Sequence, residues 1–153
     1  MDYKNKRLQL KQIDEQLIKL RNSGLEVPHK GWIHTIRKAL SMSSEQLGYK
    51  LGISLQGAFN LEKREVLGTI TINKLQEVGR GLKLKLVYGF VPINFSLQEM
   101  VEQRARELAR EIVMNTSTHM SLEDQKIADE KLKESIKERT DEIIRTMPNY
   151  LWD

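Results

Sequence analysis

The stretch from Ser43 to Arg64 constrains the fold of this chain more than any other. It reads SSEQLGYKLGISLQGAFNLEKR. Ser43, with Gln46 three residues later, forms a capping-box pattern, which predicts that a helix begins there. Gly52 can adopt the left-handed conformation that ends a helix and turns the chain sharply, and Ser54 can cap a second helix. The stretch therefore predicts two short helices joined by a tight turn.

The order of features in this stretch is more informative than its periodicity. Periodicity alone fits any tight helical corner, with inward-facing apolar side chains at Leu47, Leu51, Ile53, Ala58 and Leu61. A capped helix, a Gly-Ile turn, a Ser-capped helix reaching about Lys63 and the run Leu61-Glu62-Lys63 together resemble the helix-turn-helix of the Cro and phage-repressor superfamily. In that superfamily a glutamate near the end of the recognition helix is typical. The resemblance implies that this segment binds DNA.

The charge of the chain is divided unevenly along its length. Residues 1–95 carry sixteen Lys and Arg against eight acidic residues, whereas residues 96–153 carry nine against thirteen. The basic part contains the predicted helix-turn-helix and has the sign that a phosphate backbone requires, and the acidic part is left for a protein partner. Both parts are also compatible with ordinary solvated helix faces.

Other compositional features narrow the class of protein. The chain of 153 residues has no cysteine, which excludes disulfides and thiolate metal sites. It has no apolar run of the roughly 18 residues that span a bilayer, and its first residues lack the apolar core of a signal peptide. We therefore expect a cytoplasmic protein without membrane contact.

The sequence contains no pattern that is typical of an enzyme. His119 and Glu123 would share a face if both lay in one helix, but two ligands without a third are a weak metal signal. Gly79-Arg80-Gly81 follows no predicted strand, so it does not read as a nucleotide-binding fingerprint. We therefore expect no catalytic activity, no metal and no cofactor.

Four residues of the predicted recognition helix are candidate base contacts. Gln56 and Asn60 are four residues apart on one helix face, and their amides can form paired hydrogen bonds with adenine. Leu55 can contact a thymine methyl group, although the superfamily more often has a polar residue there. Phe59 is either a base contact or a packed residue.

Seven residues are candidate contacts to the DNA backbone. They are basic side chains near helix ends or residues at helix N-termini, where a phosphate is readily bound. For the cations the assignment depends on exposure, with solubility as the alternative, and for the serines the alternative is simple capping. The seven are Arg37, Lys38, Ser44, Lys50, Ser54, Lys63 and Arg64.

The rest of the chain divides into four predicted segments. Residues 1–29 form an N-terminal helix, expected over residues 3–22, and a linker. Residues 30–83 form the DNA-binding domain, with flanking helices at 32–40 and 71–82. Residues 84–93 contain a short strand, and residues 94–153 form a C-terminal helical region. The fold class is therefore mainly α, with Ile33, Ile36 and Leu40 expected in the core and Trp32 either in the core or covering the edge of the domain.

The predicted strand, LKLVYGFVP from Leu84 to Pro92, has no second strand to pair with in the sequence. Pairing with the same strand of another copy would satisfy its backbone and make a two-fold homodimer, as reading two half-sites requires. The alternative is an extended segment packed on the protein's own helices.

The C-terminal region is predicted to contain two capped amphipathic helices. Capping boxes begin at Ser96 and Ser121, and the stretch from Asn115 to His119 is expected to end the first helix. Apolar residues on one face of each helix predict packing on each other, on the dimer or on a partner. They are Leu97, Met100, Val101, Ala105, Leu108, Ile112 and Val113 in the first, and Ala128, Leu132, Ile136, Ile143 and Met147 in the second. Tyr150 and Trp152 at the end of the chain are either a docking point or tucked against a neighbouring helix.

Taken end to end, the chain resembles the mobile mystery protein A family of small bacterial helix-turn-helix proteins. The resemblance is carried by residues 31–54, LEKREVLGTITINKL (61–75), LVYGFVP (86–92) and SLQEMVEQRARELAREIV (96–113). Members are typically encoded beside mobile mystery protein B, which contains a Fic domain, so the pair looks like a toxin–antitoxin or related mobile-element module. This chain lacks the Ser/Thr-x-x-x-Glu-Gly/Asn string of antitoxins that insert into Fic enzymes, because Ser41 to Glu45 is followed by Gln46.

The sequence thus predicts a dimeric regulator that binds double-stranded DNA and represses its own operon. The alternative is an antitoxin that holds a Fic-domain partner through its C-terminal helices.

Overall fold

The protein is mainly helical. The computed structural model describes residues 3–116 and 125–153, and within these ranges it contains no β-strand. The helices are α1 (Tyr3–Asn22), α2 (Trp32–Ala39), α3 (Ser44–Leu51), α4 (Leu55–Leu67), α5 (Ile72–Gly81), α6 (Leu97–Thr116), α7 (Gln125–Thr146) and a 3₁₀ helix (Asn149–Trp152). Among these described helices, none combines the length and the apolar character needed to cross a bilayer.

The chain forms two compact units, each with its own core. The central unit is Gly24–Gly89, and the flanking unit combines Met1–Ser23 with Phe90–Asp153. The predicted boundaries of the DNA-binding segment lie close to those of the central unit. The sequence did not indicate that α1 belongs with the C-terminal helices, because an apolar stripe on a helix does not name the surface that it packs against.

The core of the central unit is built from α2, α3, α4 and α5. Its buried residues in α2, α3 and α4 confirm inward-facing positions that were predicted for these helices. Leu51 and Ile53 pack against them, as expected. The fully enclosed set is Ile33, Leu47, Ala58, Leu61 and Val78.

The turn between α3 and α4 forms as the local signals predict. Both halves of the Ser43 capping box are present, with the Gln46 amide donating to Ser43 Oγ at 3.1 Å. Gly52 has φ 68° and ψ 30°, the left-handed conformation that favours glycine. Ser54 Oγ accepts from the Gly57 amide at 3.0 Å and caps α4.

A second glycine, Gly48, is required at this turn and was not singled out from the sequence. A Cβ atom there would lie 2.9 Å from the Ile53 carbonyl oxygen and 3.1 Å from that of Ser54. Backbone atoms cannot yield as a flexible side chain can. The close approach of α3 to the start of α4 therefore depends on the absence of a side chain at this position.

Leu40, expected in the core of the central unit, is exposed, and Trp32, expected either in the core or at the edge of the domain, is partly exposed. Trp32 is 36% exposed because it is the first residue of α2, where Ile33 occupies the inward position instead. Leu40 is 57% exposed because the chain leaves α2 there and turns at Ser41, which has a φ of 53°. Met42 packs against the core beyond that turn.

The segment predicted as a strand, residues 84–92, forms no ladder. A strand needs a second strand, and none is present in residues 3–116 or 125–153. Val87, Tyr88 and Phe90 are 75%, 68% and 81% exposed, so their side chains are not packed on the protein's own helices. Pairing with a second copy stays a prediction.

The flanking unit is held together by the packing of α6 on α7. Its buried residues are Val101, Ala105, Ala109, Ile143 and Leu151, with Leu10 of α1 packed against them. The Ser96 capping box is confirmed, because the Ser96 amide donates to Glu99 Oε2 at 2.8 Å and the Glu99 amide to Ser96 Oγ at 3.1 Å. The predicted capping box at Ser121 lies outside the described residues.

One detail of α6 differs from the prediction. Met100, expected on the apolar face, is 45% exposed, because it lies in the first turn and the buried face begins with Val101. The described part of the helix ends at Thr116, within the range from Asn115 to His119 that was predicted to end it.

Asp14 joins α1 to the beginning of α6. Its buried carboxylate accepts from the Leu97 amide at 2.7 Å and from the Gln98 amide at 2.9 Å. These amides are among the four at a helix N-terminus that have no partner within the helix, and a negative charge there also interacts favourably with the helix dipole. Asp14 therefore acts as a cap supplied from 83 residues earlier in the chain.

Replacement of Asp14 should destabilise the flanking unit specifically. Asp14→Ala leaves the Leu97 and Gln98 amides without these acceptors and should lower the free energy of unfolding by about 1–2 kcal/mol. The measurement is denaturant unfolding followed by Trp152 fluorescence in a Trp32→Phe background. Glu15→Ala, at an exposed neighbouring position on α1, should leave the midpoint unchanged; an equal loss in both variants would contradict the capping role.

Candidate nucleic-acid interface

Helix α4 has one face in the core and one face in solvent. Ala58, Leu61 and Glu62 are buried. The four predicted base contacts lie on the opposite part of the helix: Leu55 and Phe59 are each 49% exposed, and Gln56 and Asn60 are exposed. The helical repeat that places one set in the core thus presents the other set to solvent.

The two amide side chains of this surface are adjacent. Gln56 Nε2 donates to Asn60 Oδ1 at 3.4 Å, which agrees with their predicted spacing of one helical turn. At that length and full exposure the bond is weak, so it is readily exchanged for bonds to another molecule. The pair offers donors and acceptors side by side, which is the arrangement that an adenine edge requires.

Four exposed cations lie on α4 and on the two helices before it. Lys63 and Arg64 follow on α4, Lys38 lies in the last turn of α2, and Lys50 lies in the last turn of α3. Each was predicted as a backbone contact and each meets the condition of exposure. Within residues 24–89 there are ten Lys and Arg against five acidic residues, so the central unit is basic.

The two serines predicted as backbone contacts both lie at helix N-termini. Ser54 is exposed and caps α4 through its hydroxyl oxygen, while the hydroxyl proton remains available as a donor. Ser44 is half-buried and is the first residue of α3, where backbone amides point out of the helix. Both positions are compatible with a phosphate contact as well as with capping.

Arg37, by contrast, is not available to a phosphate. Its side chain is buried, with 5% of the residue exposed. The guanidinium donates through Nε and Nη2 to the Glu62 carboxylate, with Nη2 3.1 Å from Oε2, and through Nη1 to the Met42 carbonyl at 3.0 Å. Four residues after Ile33, Arg37 lies on the inward face of α2, and its predicted role as a backbone contact is corrected.

The Arg37–Glu62 ion pair also includes His34. His34 Nδ1 lies 2.9 Å from Glu62 Oε2, so both carboxylate oxygens are hydrogen-bonded. Burial alone would raise the pKa of Glu62, but the hydrogen bonds from Arg37 and His34 outweigh it and hold the pKa below its ordinary value. The hydrogen bond to Glu62 correspondingly raises the pKa of Arg37.

A second carboxylate of α4, Glu65, caps the N-terminus of α2. It accepts from the Trp32 amide at 2.7 Å and from the Ile33 amide at 2.9 Å. The residue before α2, Gly31, has no side chain to act as a cap, and its φ is 80°. A Cβ atom there would lie 2.8 Å from Glu65 Oε2, so the glycine leaves room for the distant carboxylate.

The residues considered for other chemistry have structural roles or lie outside the described ranges. A Cβ atom on Gly81 would overlap the Leu51 side chain, and one on Gly79 would lie 3.0 Å from the Leu84 carbonyl oxygen. Close packing therefore explains both glycines. His119 and Glu123 lie outside the described residues, and within the described ranges no three His, Asp or Glu side chains converge as a metal site.

No model of a known protein family, no curated protein and no solved structure matches the chain.

The buried ion pair makes the stability of the central unit dependent on pH. Because the pKa of Glu62 is lower in the folded than in the unfolded chain, its stabilising effect is complete above about pH 4.5 and is lost as the pH falls through the lower, folded value. Glu62→Gln should reduce the free energy of unfolding at pH 7 by about 3 kcal/mol, since Arg37 keeps a buried charge without a counterion. The variant should also show a flatter dependence below pH 4.5.

The measurement is denaturant unfolding from pH 3 to 7, followed by Trp32 fluorescence in a Trp152→Phe background. Glu45→Gln removes an exposed carboxylate of α3 and should follow the wild-type curve. If the free energy of unfolding depended on pH identically in wild type and Glu62→Gln, Glu62 would be ruled out as the group whose titration changes the stability.

Proposed function

We propose that the protein is a sequence-specific regulator that binds double-stranded DNA, with α4 as its recognition helix in the major groove. One observation carries the proposal: the solvent face of α4 presents two adjacent amides followed by the exposed cations Lys63 and Arg64, while its other face is fixed to α2 by Glu62 and Glu65. A rigidly mounted helix with this chemistry is suited to reading base edges.

The dimensions and chemistry of α4 fit a major groove. Thirteen residues give a helix about 20 Å long, and the groove, about 12 Å wide, admits one helix. Gln56 and Asn60 are suited to adenine, and Leu55 to a thymine methyl group. Lys38, Lys50, Lys63 and Arg64 supply the phosphate contacts, and the net basic charge of the unit favours approach to DNA.

The regulatory role that we propose is autoregulatory repression of a mobile-element or toxin–antitoxin-like operon. A protein that occupies an operator excludes polymerase from an overlapping promoter without any catalytic group. The resemblance to the mobile mystery protein A family supports an operon of this kind. The absence of the Ser/Thr-x-x-x-Glu-Gly/Asn string favours repression over direct insertion into a Fic enzyme.

Replacement of the amide pair should remove sequence specificity and retain general DNA affinity. Gln56→Ala and Asn60→Ala should each weaken binding to the specific duplex by about 1–3 kcal/mol, because each removes a base contact. Binding to a scrambled duplex should not change, since phosphate contacts are intact. The measurement is fluorescence anisotropy with a duplex from upstream of the protein's own gene, across a salt series.

Lys63→Gln is the matched control on the same helix face. It should weaken binding to both duplexes alike and reduce the salt slope by about one unit. Equal binding of both duplexes by the wild-type protein would rule out sequence-specific recognition, and unchanged discrimination in the double variant Gln56→Ala, Asn60→Ala would rule out the assigned base contacts.

A second candidate function is protein binding by the flanking unit, and the C-terminal turn favours it. Tyr150 and Trp152 are 46% and 58% exposed, while Leu151 between them is buried. Arg104 holds the turn through hydrogen bonds of 2.8 Å to the carbonyls of Leu151 and Asp153. Two aromatic side chains presented on an anchored turn suit a protein interface, and the family resemblance makes a Fic-domain protein the candidate partner.

Replacement of the terminal aromatics should separate this function from DNA binding. Tyr150→Ala with Trp152→Ala should weaken binding to the adjacently encoded protein at least about tenfold, as loss of aromatic anchors does, and leave duplex binding unchanged. Titration calorimetry with the purified partner measures the first effect. Wild-type affinity in the double variant would exclude the C-terminal turn as the docking point.

A further inference from the structure

The segment from Lys85 to Val91 has backbone groups without partners. The Leu84 amide donates to the Gly79 carbonyl at 2.7 Å, and Pro92 has no amide proton. Between these two residues, no backbone group has a hydrogen bond to another described residue. Seven consecutive residues therefore have backbone donors and acceptors without partners in the described part of the chain, bounded on one side by a bonded amide and on the other by proline, and such groups are available to pair with a second strand.

Most side chains of this segment are apolar and exposed, although Leu86 is half-buried. Val87, Tyr88 and Phe90 are each more than two-thirds exposed, and Val91 is 48% exposed. Further exposed apolar side chains lie at either end, at Leu84, Ile93 and Phe95. The aromatic side chains among them, of about 150–250 Å² each, supply most of the apolar surface that a partner would cover.

We propose that residues 85–91 pair with the same residues of a second copy as a two-stranded antiparallel ladder, with Tyr88 on the two-fold axis. Leu84 and Pro92 limit the ladder to the seven residues between them. Tyr88 is the central residue of these seven, which places it on the two-fold axis and sets the register. In this register Leu86 lies opposite Phe90 of the partner subunit, and Val87 lies opposite the partner's Gly89.

Side-chain alternation supports the same register. Leu86, Tyr88 and Phe90 share one face of the segment. A ladder centred on a residue keeps these three on the same face in both copies, whereas a shift by one residue would place Val87 opposite the partner's Tyr88 and mix the two faces. Leu86, Tyr88 and Phe90 of both copies therefore form one continuous apolar face only when the ladder is centred on a residue.

Charge supports the antiparallel orientation. Lys85 is the one charged residue of the segment. A parallel pairing in register would place the two lysines opposite each other, which is unfavourable. In the antiparallel pairing they lie at opposite ends of the ladder, and each faces the partner's Val91.

This pairing does not rest on DNA binding. Self-association is measured without a duplex, so its failure would leave the role of α4 untouched. Where both hold, the two-fold axis supplies the paired recognition helices that two half-sites about one helical turn apart require.

Single cysteines test the register directly, because the chain has none of its own. Tyr88→Cys places two thiols on the axis, where directly opposed Cβ atoms are close enough for a disulfide. Val87→Cys is the matched control: Val87 is equally accessible, at 75% exposure against 68% for Tyr88, but lies about 7–8 Å diagonally from its own copy. Under mild oxidation we expect Tyr88→Cys to form the disulfide dimer at least about tenfold faster. Equal rates, or a faster Val87→Cys, would overturn the proposed register.

Sedimentation velocity without DNA tests the pairing itself. The wild-type protein should sediment as a dimer, and Phe90→Lys, which places a charge opposite the partner's Leu86, should sediment as a monomer with an unchanged circular dichroism spectrum. Val27→Lys, an equally exposed apolar position in the central unit, should remain dimeric. A monomeric wild-type protein, or a dimeric Phe90→Lys, would overturn the proposal.

Discussion

The buried ion pair between Arg37 and Glu62 fixes how α4 is presented. Neither charge is stable alone in the core of the central unit, because each would keep the penalty of leaving water without a counterion. Their pairing therefore holds the inward face of α4 against α2, and Glu65 adds a second attachment one turn later. Since a helix has a fixed repeat, the phase that places Glu62 inward also places Gln56 and Asn60 outward. The candidate reading surface depends on an interaction on the opposite side of the same helix.

The sequence predicts those parts of the fold whose interaction partners are close in the chain. The bounds of α1, the capping boxes at Ser43 and Ser96 and the left-handed Gly52 depend on groups within about four residues, and all are confirmed. The carboxylate caps could not be predicted in this way. Glu65 lies more than thirty residues from the amides that it caps, and Asp14 more than eighty. Such contacts depend on tertiary packing, which no local pattern encodes.

The sequence predicts only part of the candidate site, because the rest depends on contacts between distant parts of the chain. Helical spacing alone indicates that Gln56, Asn60 and Lys63 share a face, and all three are exposed. The spacing of α2 did not reveal that Arg37 would be buried, because a long basic side chain is usually solvated and its burial depends on a carboxylate from another helix. The choice between a phosphate contact and a core residue therefore required the position of Glu62, which only the fold supplies.

Most residues of the string LEKRE (61–65) have structural roles in the central unit. Leu61 is in the core, Glu62 pairs with Arg37, and Glu65 caps α2, so three of its five residues hold the central unit together. The other two, Lys63 and Arg64, face solvent after the amide pair, whereas Leu55 and Phe59 lie before the string. The string therefore fixes the orientation of α4, whereas the base contacts that we propose lie at positions 55–60, outside it. The two roles are separable, because Leu61 and Glu62 lie on the buried face of α4 and Gln56 and Asn60 on its exposed face.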